Sequence, residues 1–271
     1  MQSGNIVCRV TPWFIGRAVG MACLFLGFGG YFFYDGASGY PHANEVYFTY
    51  HAFARAGQEI SAVSSPQEWK TRLDAASMWE SQERDGRVFV LGSKGELYPL
   101  PEGVSSAWPD AIRVWESLKR DGWNAAWIKY SEERRFPVKP GEHPYDTAAV
   151  REQWIAGTVC MILAAGCLFL LLRTLRRRMS IDEGYLTVAG KTLRIEDIER
   201  IDLRKWKLKG LAWLHVRKPS GGTMKLRADG MTYGGFSKAQ DEPAERLMQN
   251  LLSQFDGEII DYDERTLPEK D

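Results

Sequence analysis

The chain has 271 residues, in which 35 Lys and Arg balance 35 Asp and Glu, 44% of positions are hydrophobic and 26% are charged. That length allows one large domain or two modest ones. The balanced charge excludes a generally basic nucleic-acid binder and a polyacidic tail protein, and so many charged positions exclude a polytopic channel or transporter.

The apolar residues concentrate in two segments. Residues 18–34 carry no charge, and residues 12–15 extend the stretch across Arg17; residues 154–172 are again uncharged. A hydrocarbon core of about 30 Å needs about 20 apolar helical residues, so both segments read as membrane spans, at about 12–34 and 154–172. Trp13, Tyr31, Tyr34 and Trp154 lie where amphipathic rings favour the interface. Arg9 and Arg17 flank the first span, and Arg173, Arg176, Arg177 and Arg178 follow the second, whereas no Lys or Arg occurs at 35–50. These flanks place both termini in the cytoplasm, residues 35–153 outside it, and the chain in a cell (inner) membrane. A cleaved signal peptide, with Ala37-Ser38-Gly39 as its cleavage site, is the rival for the first span. The long apolar run ending in Tyr31-Phe32-Phe33-Tyr34 favours an anchor.

Cys8 precedes the first span, Cys23 lies in it, and Cys160 and Cys167 lie in the second, so the outer segment has no disulfide. Gly16 and Gly20 fit a small-residue packing motif, and Gly27, Gly29 and Gly30 add small surface through which the helices can pair.

The segment 37–145 is mildly acidic and holds Trp69, Trp79, Trp108, Trp115, Trp123 and Trp127. Asn44 is read as the cap of a helix running to Gly57. Ser65-Pro66-Gln67-Glu68 is a capping box opening a second helix. Residues 87–91 read as a strand turned by Gly92-Ser93-Lys94-Gly95 towards 96–98. Pro109 opens a helix through Ile112, Trp115 and Leu118, ended by Gly122, and 123–130 reads as another strand. The result is a small α+β domain. Its tryptophans serve a core or a sugar- or peptide-binding face; a domain without disulfides favours the core. His42 and His51 lie nearly on opposite sides of one helix, which argues against a metal pair. No paired acid and base, nucleophile motif, phosphate loop or metal set occurs, so neither an enzymatic activity nor a cofactor is expected.

Asp146 or Thr147 caps a helix continuing to Arg178, about 48 Å long at 1.5 Å per residue. It includes the second span and joins the outer domain to the inner one. Beyond it the pattern changes to short strands: 185–188 and 192–195 flank Ala189-Gly190-Lys191, an Ile195, Ile198, Ile201 segment follows, and 211–216 and 223–227 complete the run. Glu242-Pro243 opens an amphipathic helix with Leu247, Leu251 and Phe255 nearly in line, and 263–271 is a polar tail. The stretch DEGYLTVAGKTLRIEDIERID at 182–202 resembles the opening of bacterial pleckstrin-homology-like (PH-like) domains. The resemblance covers about 179–256 and implies, for 179–262, a β-barrel closed by a C-terminal helix, with no assigned enzymatic activity.

Arg204, Lys205, Trp206, Lys207 and Lys209 form the densest basic cluster of this domain and are its candidate membrane or partner contact. Near an anionic leaflet each basic residue contributes roughly 1 kcal/mol, and Trp206 would seat at the interface; the simpler alternative is a solvated hairpin whose tryptophan folds onto the barrel. Arg173 and Arg176–Arg178 mainly set topology. The whole reads as an α+β membrane protein with two spans, a non-enzymatic scaffold or sensor that presents a PH-like domain to a cytoplasmic protein partner. A receptor whose tryptophan-rich outer domain binds an envelope glycan or peptide is the alternative.

Overall fold

The computed structural model describes residues 5–238 and 241–262; the expected polar tail lies outside them. The chain divides into two units, residues 26–161 and residues 1–25 with 162–271.

Strand β1 (Ile6–Cys8) comes first, a short element the sequence did not announce, and helix α1 (Pro12–Tyr34) follows. Thr11 caps it, its Oγ1 accepting from the Phe14 N–H at 3.3 Å, with Pro12 at the first helical position. The helix does not end at Tyr34. A π-helical turn, Asp35–Gly39, carries it into α2 (Tyr40–Glu59), and the helical stretch closes with a 3-10 turn at Ile60–Ala62. Pro41 explains the wide turn: it has no N–H to give and its ring crowds the preceding carbonyls, so the ladder loosens there. Asn44 therefore lies inside α2, completely buried, and is not the cap expected for it.

In the 26–161 unit, α3 (Pro66–Ala75) opens as its capping box requires. The Ser65 Oγ accepts from the Glu68 N–H at 3.3 Å, while Glu68 Oε2 accepts from the Ser64 N–H at 3.0 Å, one residue earlier than the usual reciprocal bond. Strands β2 (Ser81–Arg84), β3 (Arg87–Leu91) and β4 (Leu97–Pro99) form an antiparallel sheet in that order. Asp85 and Gly86, both at positive φ, make the tight turn from β2 to β3. After α4 (Asp110–Arg113), helix α5 (Trp115–Arg134) replaces the strand expected at 123–130. Gly122, at φ 82° and ψ 160°, does break the helix, but a new turn starts at once. The spacing of Trp123, Trp127 and Tyr130 is helical, and it sets three rings on one face: Trp123 meets Tyr50 at 5.6 Å, and Trp127 and Tyr130 meet Phe53 at 5.5 and 5.2 Å.

Helix α6 (Thr147–Leu175) is capped by Asp146, whose Oδ1 accepts from the Ala149 N–H at 2.8 Å. Within this unit it runs beside the first apolar helix: Phe33 packs on Trp154 at 5.3 Å and covers Gly157, and Gly29 faces Met161. The helices thus pair through Gly29 and Gly157, whereas Gly16 and Gly20 meet no other side chain within 4 Å.

The other unit holds β5 (Met179–Asp182), β6 (Tyr185–Val188), β7 (Lys191–Arg194), β8 (Ile198–Lys205), the single turn α7 (Trp206–Lys209), β9 (Leu211–Arg217), β10 (Thr223–Asp229), α8 (Pro243–Ser253) and β11 (Glu258–Ile260). They make two four-stranded sheets, β1-β5-β6-β7 and β10-β9-β8-β11. No closed barrel forms among the described residues: the 3-10 turn Ile195–Asp197 redirects the chain after β7, and β8 starts a second sheet. Ala212, Leu214 and Val216 alternate onto the buried side of β9 and share one apolar cluster with Leu247, Met248 and Leu251 of α8.

Cys8 is completely buried in this core, its thiol 3.3 Å from the Pro243 carbonyl oxygen, and burial pushes its pKa from about 9 up to about 11. A raised thiol pKa favours the folded state fully below about pH 9, and that contribution is lost as the pH rises through about 11. With Cys23, Cys160 and Cys167 changed to Ser, a maleimide at pH 7 is expected to leave Cys8 unlabelled until denaturant is added. Rapid native labelling would detach β1 from the core.

Candidate functional site

The five residues of the basic cluster do not act as one patch. Arg204, at the end of β8, is occupied: its guanidinium donates to Asp202 Oδ1 at 3.0 Å and Oδ2 at 2.8 Å. The same hydrogen bonds hold the Asp202 carboxyl at about 2, well below the usual range. Trp206 is only 5% exposed, so it is a strut and not a membrane anchor. Its Nε1–H donates to Glu245 Oε2 at 2.9 Å on α8, and its ring meets Phe236 edge-on at 5.3 Å. Lys205, Lys207 and Lys209 remain on the surface. Turning Trp206 inward closes α7, whose last turn ends in the left-handed Gly210, and brings Leu208 outward to 74% exposure. In sequence Leu208 is masked by the lysines on either side of it, although an apolar residue at that place is what a lipid surface would take.

Of the four arginines after the second apolar segment, Arg173, Arg176 and Arg178 are exposed. Arg177 is half-buried and lines a hollow of ≈ 300 Å³ with Arg227, Asp229 and Tyr233. Sequence position alone groups Arg177 with its neighbours; the fold separates it from them.

The six tryptophans of residues 37–145 belong to the core. Trp69, Trp79, Trp108 and Trp127 are buried, and Trp115 and Trp123 pack against the same cluster. Trp69, Trp108 and Trp127 donate to the carbonyls of Ile112, Ala76 and Val138 at 2.9, 2.8 and 2.7 Å. A hollow of ≈ 640 Å³ between α4 and α5 is lined by none of the six. His42 lies 3.6 Å from Glu45, and His51 packs against Tyr47. Among the described residues no group of three His, Cys, Asp or Glu is placed to hold a metal ion.

No family model matches the chain, nor does any curated protein or solved structure.

Proposed function

We propose that the chain is a two-span, non-enzymatic membrane protein that holds a PH-like interaction domain, residues 179–262, against the inner leaflet, with both termini cytoplasmic and residues 35–153 outside. One observation carries the membrane reading. The two helices long and apolar enough to cross a bilayer turn large apolar side chains outward: Phe28 and Tyr31 on α1, and Ile162, Phe169, Leu170 and Leu172 on α6, are 51–65% exposed. Water would oppose such helices over their whole length, and lipid would not.

The PH-like reading is supported by the 182–202 stretch, by the two four-stranded sheets, one antiparallel and one mixed, and by the apolar face of α8 that shares their core. Of the four edge strands of these sheets, β1, β7, β10 and β11, the longer β7 and β10 offer the backbone edge on which a partner's strand would pair. The receptor reading stays the alternative; it is the less favoured one, because Trp69, Trp79, Trp108 and Trp127 are buried and Trp115 and Trp123 pack against them.

Alkaline carbonate is expected to leave the full chain in the membrane fraction. A reporter inserted between Ser93 and Lys94, in the exposed β3–β4 turn, should be active outside the cytoplasm, and one fused after Asp271 only inside it. Release by carbonate, or the reverse pattern of activity, would overturn the proposal.

A further inference from the structure

We infer that the unit of residues 1–25 and 162–271 binds one anionic glycerophospholipid in the cleft where the first turns of α1 and the last turns of α6 meet the β9–β10 hairpin. This rests on the two apolar helices being membrane spans. The cleft measures ≈ 510 Å³, a size suited to a bound small molecule. Ala18 and Met21 of α1 and Cys167, Leu170 and Leu171 of α6 supply apolar walls. Arg17, Lys209 and Arg227 line it as well. Arg17 is held over the Trp13 ring, 4.5 Å from its centroid, which fixes a long side chain at the start of the helix.

The ≈ 300 Å³ hollow that Arg177 lines shares Phe14, Arg227, Asp229 and Thr232 with this cleft and continues it. Four basic side chains, Arg17, Arg177, Lys209 and Arg227, therefore converge with a single carboxylate, Asp229. That carboxylate already accepts from Arg227 Nη2 at 3.0 Å and from the Thr232 N–H at 2.9 Å. The surplus positive charge is unmatched within the site.

The occupant must satisfy both halves. An apolar helix from another protein would fill the walls and leave the cations uncompensated. A free phosphate would neutralise cations and leave the walls empty. A phosphodiester headgroup carrying an acyl chain does both, and basic pockets between membrane helices on the cytoplasmic side suit such headgroups. The site differs from the 204–209 cluster: of those residues only Lys209 takes part.

The test uses the full chain in maltoside detergent, with retained lipid counted by native mass spectrometry after adding dioleoyl phosphatidylglycerol or dioleoyl phosphatidylcholine. One phosphatidylglycerol should be retained at least tenfold more strongly than phosphatidylcholine. Lys209→Gln with Arg227→Gln should weaken retention by more than tenfold, about fivefold for each charge removed. Ala18→Phe, which fills the cleft and leaves every charge in place, should give a comparable loss. Arg194→Gln with Arg217→Gln, on the same domain but outside the cleft, should change nothing. Equal retention of both lipids, displacement by millimolar glycerol phosphate, or an equal loss in the Arg194/Arg217 variant would each overturn the site. Carbonate release would overturn the membrane reading itself, whereas a carbonate-resistant chain without phosphatidylglycerol preference overturns the lipid site alone.

Discussion

Asn44→Ala is expected to lower the stability of the 26–161 unit by about 3 kcal/mol. The amide sits in the interior of α2 with no exposure and makes three hydrogen bonds at once. Its Nδ2 donates to the carbonyls of Pro99, at the end of β4, at 2.9 Å and of Tyr145 at 2.8 Å; its Oδ1 accepts from the Tyr145 N–H at 2.7 Å. Alanine would leave two carbonyls and one N–H without their partner, and each orphaned buried group costs about 1–3 kcal/mol before any water enters. Asn44→Asp should be at least as damaging, since a carboxylate can still accept from Tyr145 but cannot donate to two carbonyls. The bond pattern ties the helix to the sheet and to the residue before the Asp146 cap, where Tyr145 also stacks on Tyr40 at 3.9 Å. Thermal unfolding of the full chain in detergent, followed by near-ultraviolet circular dichroism, should show the loss as a shift of about 10 °C. A shift below about 2 °C would mean that this lock is not formed.

The contrast between Asn44 and Ser65 explains how much of the fold the residues reveal before folding. Ser65 and Glu68 act within one turn, so their pattern is complete in four letters, and the same holds for Asp146 and for the Ala189-Gly190 hairpin turn. The two apolar segments are equally legible, because a bilayer-length run without charge needs no partner to be recognised. Asn44 also looks like a cap locally, but its partners lie 55 and 101 residues away. The short strands β1 and β11 escape the sequence for the same reason: β1 exists because Ile6 pairs with Ile181, and β11 because Glu258 lies beside Arg200 in a parallel ladder. Each is too short for periodicity to speak. Two further turns carry a local signal: Asp85-Gly86 marks the end of β2, and Glu183-Gly184, both at positive φ, marks the end of β5. At 123–130 the aromatic content suggested a strand, and the helical spacing of the rings decided otherwise.

The candidate site divides along the same line. Counting basic residues finds clusters, since charge is a property of composition; it does not find which cations are already paired. Arg204 is spent on Asp202, while Arg177, buried in a list of arginines, ends in a hollow beside Arg227. Lys209 is the one residue that belongs both to the linear cluster and to the cleft between the apolar helices. Partition of this kind follows from strand direction and helix phase, which depend on the whole domain.

Trp206→Ala decides what the centre of the 204–209 cluster is for, and is expected to destabilise the domain by about 3–5 kcal/mol without weakening membrane attachment. The indole fills a space bounded by Phe236 and by Gly230, where an added Cβ would lie 2.8 Å from Trp206 Cη2. Removing it opens a cavity under α7 and deprives Glu245 of the Nε1–H donor at 2.9 Å. Trp206→Phe should recover most of the packing and lose only that charge-assisted hydrogen bond, roughly 1.5–3 kcal/mol. Leu208→Ser, two residues on, should stay within about 0.5 kcal/mol of the parent, because a side chain 74% exposed contributes little to the core. Amide hydrogen exchange of β9 peptides in the full chain reads these differences directly, since β9 is central in its sheet and loses protection only when the domain opens. Faster β9 exchange in Trp206→Ala, intermediate exchange in Trp206→Phe and parental exchange in Leu208→Ser, with all three chains resistant to carbonate, is the expected result. The opposite ranking, with Trp206→Ala protected and Leu208→Ser opened, would return Trp206 to the surface and remove the strut between α7 and α8.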